Sequence, residues 1–348
     1  MAEDVVIRTE DCTGWITLDR PRALNALTAD MCLRISEALL KWADDEGVNC
    51  VLIDHAGERG FCAGGDVRMM AASGAGDGRE ARRFFAAEYR MDELIGRYPK
   101  PVLAVMDGVT MGGGVGISRP ARHRIATERT LWAMPEGDIG LFPDVGCGWW
   151  LPRLPGEIGT WLALTGARLG PADCVALGLA THLIPSDLLP ALKHDLCSSG
   201  SDLEGVLAGF AAEPGEAPVA ALRGDIDRLF AHDTVEAILQ ALEADGSDWA
   251  LAQLQAIARK CPTTLKVALR LLRHGARRRS LADEMTVEYR VAVRMVHRHD
   301  FAEGVRAVLV DRDNAPRWEP NTLPGVDEDL LDAIFADLPS DEEWTPFA

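Results

Sequence analysis

The 348-residue sequence contains no CxxC or CxxxC, no HxxxH or HExxH and no apolar run approaching 18 residues. Its eight cysteines (12, 32, 50, 62, 147, 174, 197 and 261) are scattered, which sets aside zinc fingers and thioredoxin-type centres. No GxxxxGKS/T loop is present, and Gly112, Gly114 and Ile117 do not complete GxGxxG, nor do Gly114, Gly116 and Arg119. Basic residues are in short supply: 36 Lys and Arg against 54 Asp and Glu leave a net charge of −18. So acidic a chain is poorly suited to nucleic acid or an anionic membrane surface, although a local cluster of N–H groups still suits a small anionic ligand. The start, MAEDVVIRTE, has neither a basic n-region nor an apolar h-region, and the expectation is a reduced, soluble, cytoplasmic protein.

What is present is ordinary globular composition, 47% hydrophobic and 26% charged. The length suits a main domain of about 200 residues with an appendage, large enough to need no disulfide or metal staple. The first part alternates β and α signals. VVIRTE (5–10) and WITLDR (15–20) predict a hairpin turning through Gly14. Thr28 is an N-cap for a helix whose Met31, Ile35, Ala38, Leu39 and Trp42 share a face, with Gly47 as its stop. CVLIDHAG (50–57), VLAVMDG (102–108) and RHRIATE (122–128) read as strands, and 78–98 as a helix closed by Pro99 and Pro101. Alternation of this kind predicts an α/β fold with a largely buried sheet. From about residue 197 β signals nearly vanish, giving a core over 1–196 and a helical region over 197–348. That region ends in an acidic tail where Leu330, Leu331, Ile334 and Phe335 form a docking stripe.

Two glycine-rich turns follow strands: GFCAGGD (60–66) and TMGGGVG (110–116). One such turn is explained as readily by tight strand–helix packing as by a ligand. Two of them can aim two backbone N–H groups at one oxygen, as an oxyanion hole does. Next comes AMPEGDIGLFPDVGCG (133–148), which sets Glu136, Asp138 and Asp144 among apolar residues. Carboxylates there are costly to bury unless paired or functional; the plain alternative is turn formation. His182 reads as a packing residue and the run Arg277, Arg278 and Arg279 as a solvated helix junction. Cys62 and Cys147, near the proposed site, read as small buried hydrophobes.

FCAGGD, KPVLAVMDGVTMGGGVG and MPEGDIGLFPDVG, in this order, resemble the crotonase (enoyl-CoA hydratase/isomerase) superfamily. FFAAEY (84–89), LPRLPG (151–156), LALTG (162–166), GLATHLIP (178–185) and DFAEGVRAVLVDRDNAPRW (300–318) resemble its 3-hydroxyisobutyryl-CoA hydrolase branch. The resemblance runs from the N-terminal hairpin to about residue 320. It implies a ββα-spiral core and an acyl-CoA thioester ligand, with coenzyme A as part of the substrate and no metal or separate cofactor. It places the oxyanion-hole N–H groups at Gly65 and Gly113, the catalytic glutamate at Glu136, the hydrolase-branch aspartate at Asp144 and an acyl-pocket acid at Glu88. Ala63, Gly64, Gly65 and Asp66 would line the acyl-CoA path beside RALNAL (22–27), with Arg22 and Arg59 as candidates for the CoA phosphates.

One departure separates the branches. Hydratases of this superfamily carry a glutamate on the helix after the glycine turn, where this sequence has Gly116. Adding water across a double bond wants two carboxylates around one water, so hydration should be crippled. The expected reaction is hydrolysis of a short 3-hydroxyacyl-CoA thioester, with Glu136 attacking the carbonyl or activating a water. The alternatives are an isomerase or hydratase-like enzyme using Glu136 alone and a non-catalytic acyl-CoA-binding protein. A homo-oligomer is compatible with the sequence.

Overall fold

A computed structural model describes residues 4–198 and 202–347. β1 (Val5–Glu10) and β2 (Thr13–Leu18) form the antiparallel hairpin. β3 (Cys50–His55), β4 (Val102–Met106), β5 (Val109–Met111), β6 (His123–Ala126), β7 (Leu131–Ala133) and β8 (His182–Leu183) follow. The main sheet has six strands in the order β1-β2-β3-β4-β6-β8, parallel from β2 onward. A small parallel pair, β5 with β7, lies outside it. The hairpin turns at Asp11 and Cys12, not at Gly14: Glu10 pairs with Thr13, and Asp11 takes φ 49°, a conformation Asp tolerates. Gly14 sits inside β2 for another reason: a Cβ there would come 2.7 Å from the Trp42 ring.

The helices of the first part are α1 (Ala29–Ala43), α2 (Val67–Gly74), α3 (Arg79–Gly96), α4 (Gly113–Ser118), α5 (Cys147–Trp150), α6 (Ile158–Thr165), α7 (Pro171–Ala176) and α8 (Leu189–Ser198). Thr28 Oγ1 accepts from Met31 N at 3.3 Å as the N-cap of α1. The helix stops at Ala43, short of Gly47, because Asp44 already leaves the helical hydrogen-bond pattern.

Past Leu183 only helices occur among the described residues: α9 (Leu203–Phe210), α10 (Pro218–Leu229), α11 (Val235–Asp245), α12 (Asp248–Ala258), α13 (Pro262–Gly275), α14 (Leu281–Met295), α15 (His299–Val305) and α16 (Glu328–Phe335). One turn of π-helix, Arg306–Val310, extends α15. A large apolar core joins both parts, from Val5 through Phe85 and Met285 to Trp344, with α3 packed against both α1 and α14. A second, smaller one gathers Trp15, Leu52, Leu103 and Ile125 of the main sheet with Leu192 of α8 and Leu207 of α9. In the tail, Leu331 and Ile334 are buried and Leu330 and Phe335 half-buried against this core. Trp344 Nε1 donates to Ala86 O on α3 at 3.3 Å, and Arg90 and Arg97 of the same helix donate to Thr345 O and Phe347 O, each at 2.8 Å. No helix among the described residues is long and apolar enough to cross a membrane.

Candidate active site

The two glycine turns lie side by side. Cys62 N donates to Val109 O at 3.0 Å and Met111 N to Cys62 O at 2.9 Å, stitching the first turn to β5. The RALNAL segment closes over the other side, where Ala63 N donates to Leu24 O and Leu27 N to Gly64 O. Gly64 and Gly112 take φ +112° and +52°, and a Cβ on Gly112 would lie 3.3 Å from Gly64 Cα and 2.9 Å from Glu136 Oε1. Only glycine allows this approach. It leaves the amides of Gly65 and Gly113 without a protein acceptor among the described residues. Gly113 opens α4, where the first N–H groups have no intrahelical partner.

These amides border a cavity of about 280 Å³. Glu88, Glu136 and Asp144 line it together with Ala63, Gly64, Gly65 and Gly113. Asp66 does not line it. Its carboxylate caps α2 by accepting from Met69 N at 3.3 Å and pairs with Arg20, which makes it a structural residue. Arg22 and Arg59 are both exposed, outside the lining. Apolar walls come from Phe84, Phe85, Ile139 and Leu141, and from Val308 and Leu309 of the π turn.

Each acid is set by its own element. Glu136 starts a 3-10 turn after Pro135; it is 6% exposed, and its Oε2 has no partner. Burial, and then the Asp144 carboxylate, push its pKa well above the usual range, against the pull of Lys260. Lys260 itself is engaged by Asp138 at 2.7 Å. Asp144 accepts from the Tyr89 hydroxyl at 2.8 Å; burial raises its pKa to about 6, opposed by that hydrogen bond. Its loop is held from behind by Glu288 of α14, which takes Gly146 N at 2.6 Å and Gly148 N at 2.9 Å. The clamp sustains Val145 at φ 52°, costly for a β-branched residue. Glu88, 2% exposed, has an unpartnered Oε1 packed so closely on Gly113 that no Cβ fits there. Its pKa is raised by burial first, then by Asp144, Asp92 and Glu136.

Asp92 completes the cluster and was not singled out in the sequence. It lies one helical turn after Glu88 on α3, fully buried, with neither oxygen hydrogen-bonded. Its Oδ2 would be 2.5 Å from a Cβ at Gly116, so it occupies the space that a side chain at 116 would enter. Tyr89, between the two acids in sequence, was missed as well; the i, i+4 spacing of Glu88 and Asp92 on a face otherwise filled by Phe84, Phe85 and Met91 was the available signal. Cys62 keeps its proton, since burial raises the thiol to about 12, and burial raises Cys147 likewise. Arg278 is not simply solvated: it pairs at 3.3 Å with the fully buried Glu284.

Two N–H groups and three unneutralised carboxyls, those of Glu88, Glu136 and Asp144, border one apolar cavity, which suits acyl chemistry: the amides for a developing oxyanion, the acids for proton transfer or attack. The family described as enoyl-CoA hydratase/isomerase matches residues 13–335. A Danio rerio protein, "3-hydroxyisobutyryl-CoA hydrolase, mitochondrial", is 45% identical over 93% of this chain and 87% of its own length. The Homo sapiens protein of the same name is 42% identical over 98% and 90%. Among solved structures, a carnitinyl-CoA dehydratase from Mycobacterium thermoresistibile superposes with TM-score 0.94 at 42% identity, covering 99% of each chain. An enoyl-CoA hydratase from Rhodobacter sphaeroides gives 0.91 at 40%, covering 99% of this chain and all of that one. The α/β core with its helical C-terminal part is thus the crotonase fold, and the chain belongs to the enoyl-CoA hydratase/isomerase family.

Proposed function

We propose that this protein hydrolyses the thioester of 3-hydroxyisobutyryl-CoA, or of a close short 3-hydroxyacyl-CoA, to the free acid and CoA. The observation that carries the reading is the unpartnered Glu136 Oε2 in a cavity shared with the free amides of Gly65 and Gly113 and with Asp144, while position 116 offers no carboxylate. The named hydrolases, 45% and 42% identical over nearly the whole chain, support it.

The thioester carbonyl oxygen sits between the Gly65 and Gly113 amides. Each such donor stabilises the oxyanion by about 3 kcal/mol. Glu136, once ionised, attacks the carbonyl carbon to give an anhydride or takes a proton from an attacking water; CoA leaves as its thiolate. Asp144, its carboxylate held by the Tyr89 hydroxyl, accepts a hydrogen bond from the substrate's 3-hydroxyl. Glu88 packs against Gly113 and orients the acyl group. The compartment is a reducing one in keeping with eight free cysteines: the cytoplasm expected from the sequence, or the mitochondrion that the relatives' names carry.

The test is thiol release from 3-hydroxyisobutyryl-CoA measured beside hydration of crotonyl-CoA. Release far faster than hydration is expected. Comparable rates would replace the hydrolase by the hydratase-like reading that the dehydratase and hydratase names of the two structural neighbours represent. Solvent oxygen found in Glu136 after a single turnover in ¹⁸O-water marks the anhydride route, in which water opens the anhydride at the Glu136 carboxyl carbon and releases the free acid.

A further inference from the structure

At the edge of the main sheet, away from the cavity, three side chains of another kind converge. His123 opens β6, His182 opens β8, and Glu204 lies in the first turn of α9. One ligand atom from each lies within 4.8 Å of the other two. His123 Nε2 is 3.7 Å from Glu204 Oε1, and the two imidazole centroids are 5.9 Å apart. His123 is 4% exposed, yet its Nε2 has no hydrogen-bond partner. A buried ring nitrogen left in that state calls for an explanation.

The hydrogen bonds around His182 can free its Nε2. The Thr181 hydroxyl accepts from Arg124 N at 2.8 Å and lies within hydrogen-bonding distance of both Arg124 O, at 3.1 Å, and His182 Nδ1, at 2.9 Å. With its proton on Arg124 O it accepts from the imidazole Nδ1–H, and His182 Nε2 is then a bare lone pair, held by an outer hydrogen bond of the kind that orients metal-binding histidines. Arg124 does not compete, because its guanidinium is spent on the carbonyls of Ala121, Gly178 and Leu179. Arg122, 3.9 Å from Glu204, is 68% exposed and free to swing away.

We propose that His123, His182 and Glu204 form a binding site for a divalent transition-metal ion, Zn²⁺ in the first place, with water as the fourth ligand. Two imidazoles and one carboxylate suit zinc and exclude magnesium or calcium, which want oxygen. Ligands about 2.1 Å from a tetrahedral zinc are roughly 3.4 Å apart, so a cluster spaced within 4.8 Å must contract, and the exposed Glu204 and half-buried His182 are the side chains with room to move. The ion would clip the β6–β8 edge to the first helix of the C-terminal region. Its role is structural, and none of its ligands lines the catalytic cavity.

Metal-free protein titrated with Zn²⁺ by calorimetry and by thermal unfolding tests this. One equivalent taken up, with a raised Tm, is expected for the parent chain. His182→Gln and Glu204→Gln should each weaken binding at least tenfold and abolish the Tm rise, while leaving the metal-free Tm and circular dichroism unchanged. These two positions are partly or fully exposed, so folding is kept where a change at buried His123 would put it at risk. Equal Zn²⁺ uptake by parent and variants would assign binding to other groups and overturn the proposal, as would no uptake, or a Mg²⁺ response matching that of Zn²⁺.

Discussion

In the helical C-terminal half, Glu303 and Asp245 have pKa values held down at about 2, the first by its hydrogen bonds to Arg306, the second by those to Ser247 and Arg228. In the cavity, Glu88, Asp92 and Glu136 are all pushed up by burial and by neighbouring carboxylates. The direction of the shift follows burial: Glu288 of α14, as deeply buried as any of them, is also pushed up, by burial first and then by Glu284. What sets Glu288 apart is that its two oxygens take the N–H groups of Gly146 and Gly148. Glu136 Oε2, Glu88 Oε1 and both oxygens of Asp92 take none. A buried carboxylate with its acceptors filled holds a loop; one with its acceptors empty is poised for a substrate or a proton. Acids of a single composition class thus divide by what meets their oxygens.

The largest effects should fall separately on the two regions. Trp344→Ala removes a fully packed indole that fastens the tail to α3, and unfolding should cost about 3–5 kcal/mol less. Denaturant titration reads this, and the activity of the protein that remains folded should be close to normal. Glu136→Gln should do the reverse: kcat falls at least about 10²-fold with substrate binding and Tm retained. A Glu136→Gln enzyme working within threefold of the parent rate would remove Glu136 from the chemistry and with it the contrast between the two regions.

Much of the contrast is legible in the sequence. The strands at 50–55 and 102–106 announce themselves as short apolar runs ending near glycine, and the PEGD and PDVG segments expose Glu136 and Asp144 as acids in apolar company. Local glycine signals mislead twice. Gly14 looks like a turn but answers to the Trp42 ring across the fold, and Gly47 looks like a helix stop four residues beyond the real end of α1. Asp92 is hidden because an acid one turn from Glu88 on an amphipathic helix reads as surface. Packing of other helices on α3 buries it, with Gly116 of α4 against its carboxylate. Glu288 is beyond reach of any local pattern, 142 residues from the amide it holds.

A smaller effect sharpens the role of Asp144. Its carboxylate accepts from Tyr89 and has capacity left for a substrate hydroxyl, and an unmatched buried acceptor costs about 1–3 kcal/mol. Asp144→Ala should lose most of the preference for 3-hydroxyisobutyryl-CoA over isobutyryl-CoA in kcat/KM. Equal losses on both substrates would make it a water-positioning or proton-donating group instead. Asp144 is also the charge that most raises Glu136 after burial. In the parent enzyme the acid limb of the rate should therefore lie above the ordinary carboxylate range as Glu136 ionises, and in Asp144→Asn that limb should move to lower pH. Tyr89→Phe, which only loosens Asp144, should lower kcat/KM by about fivefold, the equivalent of roughly 1 kcal/mol.

The smallest effect asks whether the buried acids at the cavity strain the fold while the arginine-paired surface acids of the C-terminal half do not. Asp92 is raised by burial and by Asp144, so the folded chain holds its proton over a pH range where the unfolded chain has released it. In that range the folded state binds more protons, and stability falls as pH rises. The penalty begins near the ordinary aspartate pKa of about 4 and grows until the folded-state group ionises. Asp92→Asn keeps the shape and removes the titration. It should raise Tm at pH 8 by roughly 2 °C or more, the shift that about 1 kcal/mol makes in a large domain, and the gain should fade below about pH 4. Glu303→Gln should behave oppositely. Its pKa is lowered by Arg306 to about 2, so its contribution to stability is present above about pH 4 and is lost as pH falls towards that value. An Asp92→Asn chain less stable than the parent at pH 8 would mean that Asp92, ionised, is held by an interaction worth more than its desolvation, and the division drawn between the two acidic regions would fail at that residue.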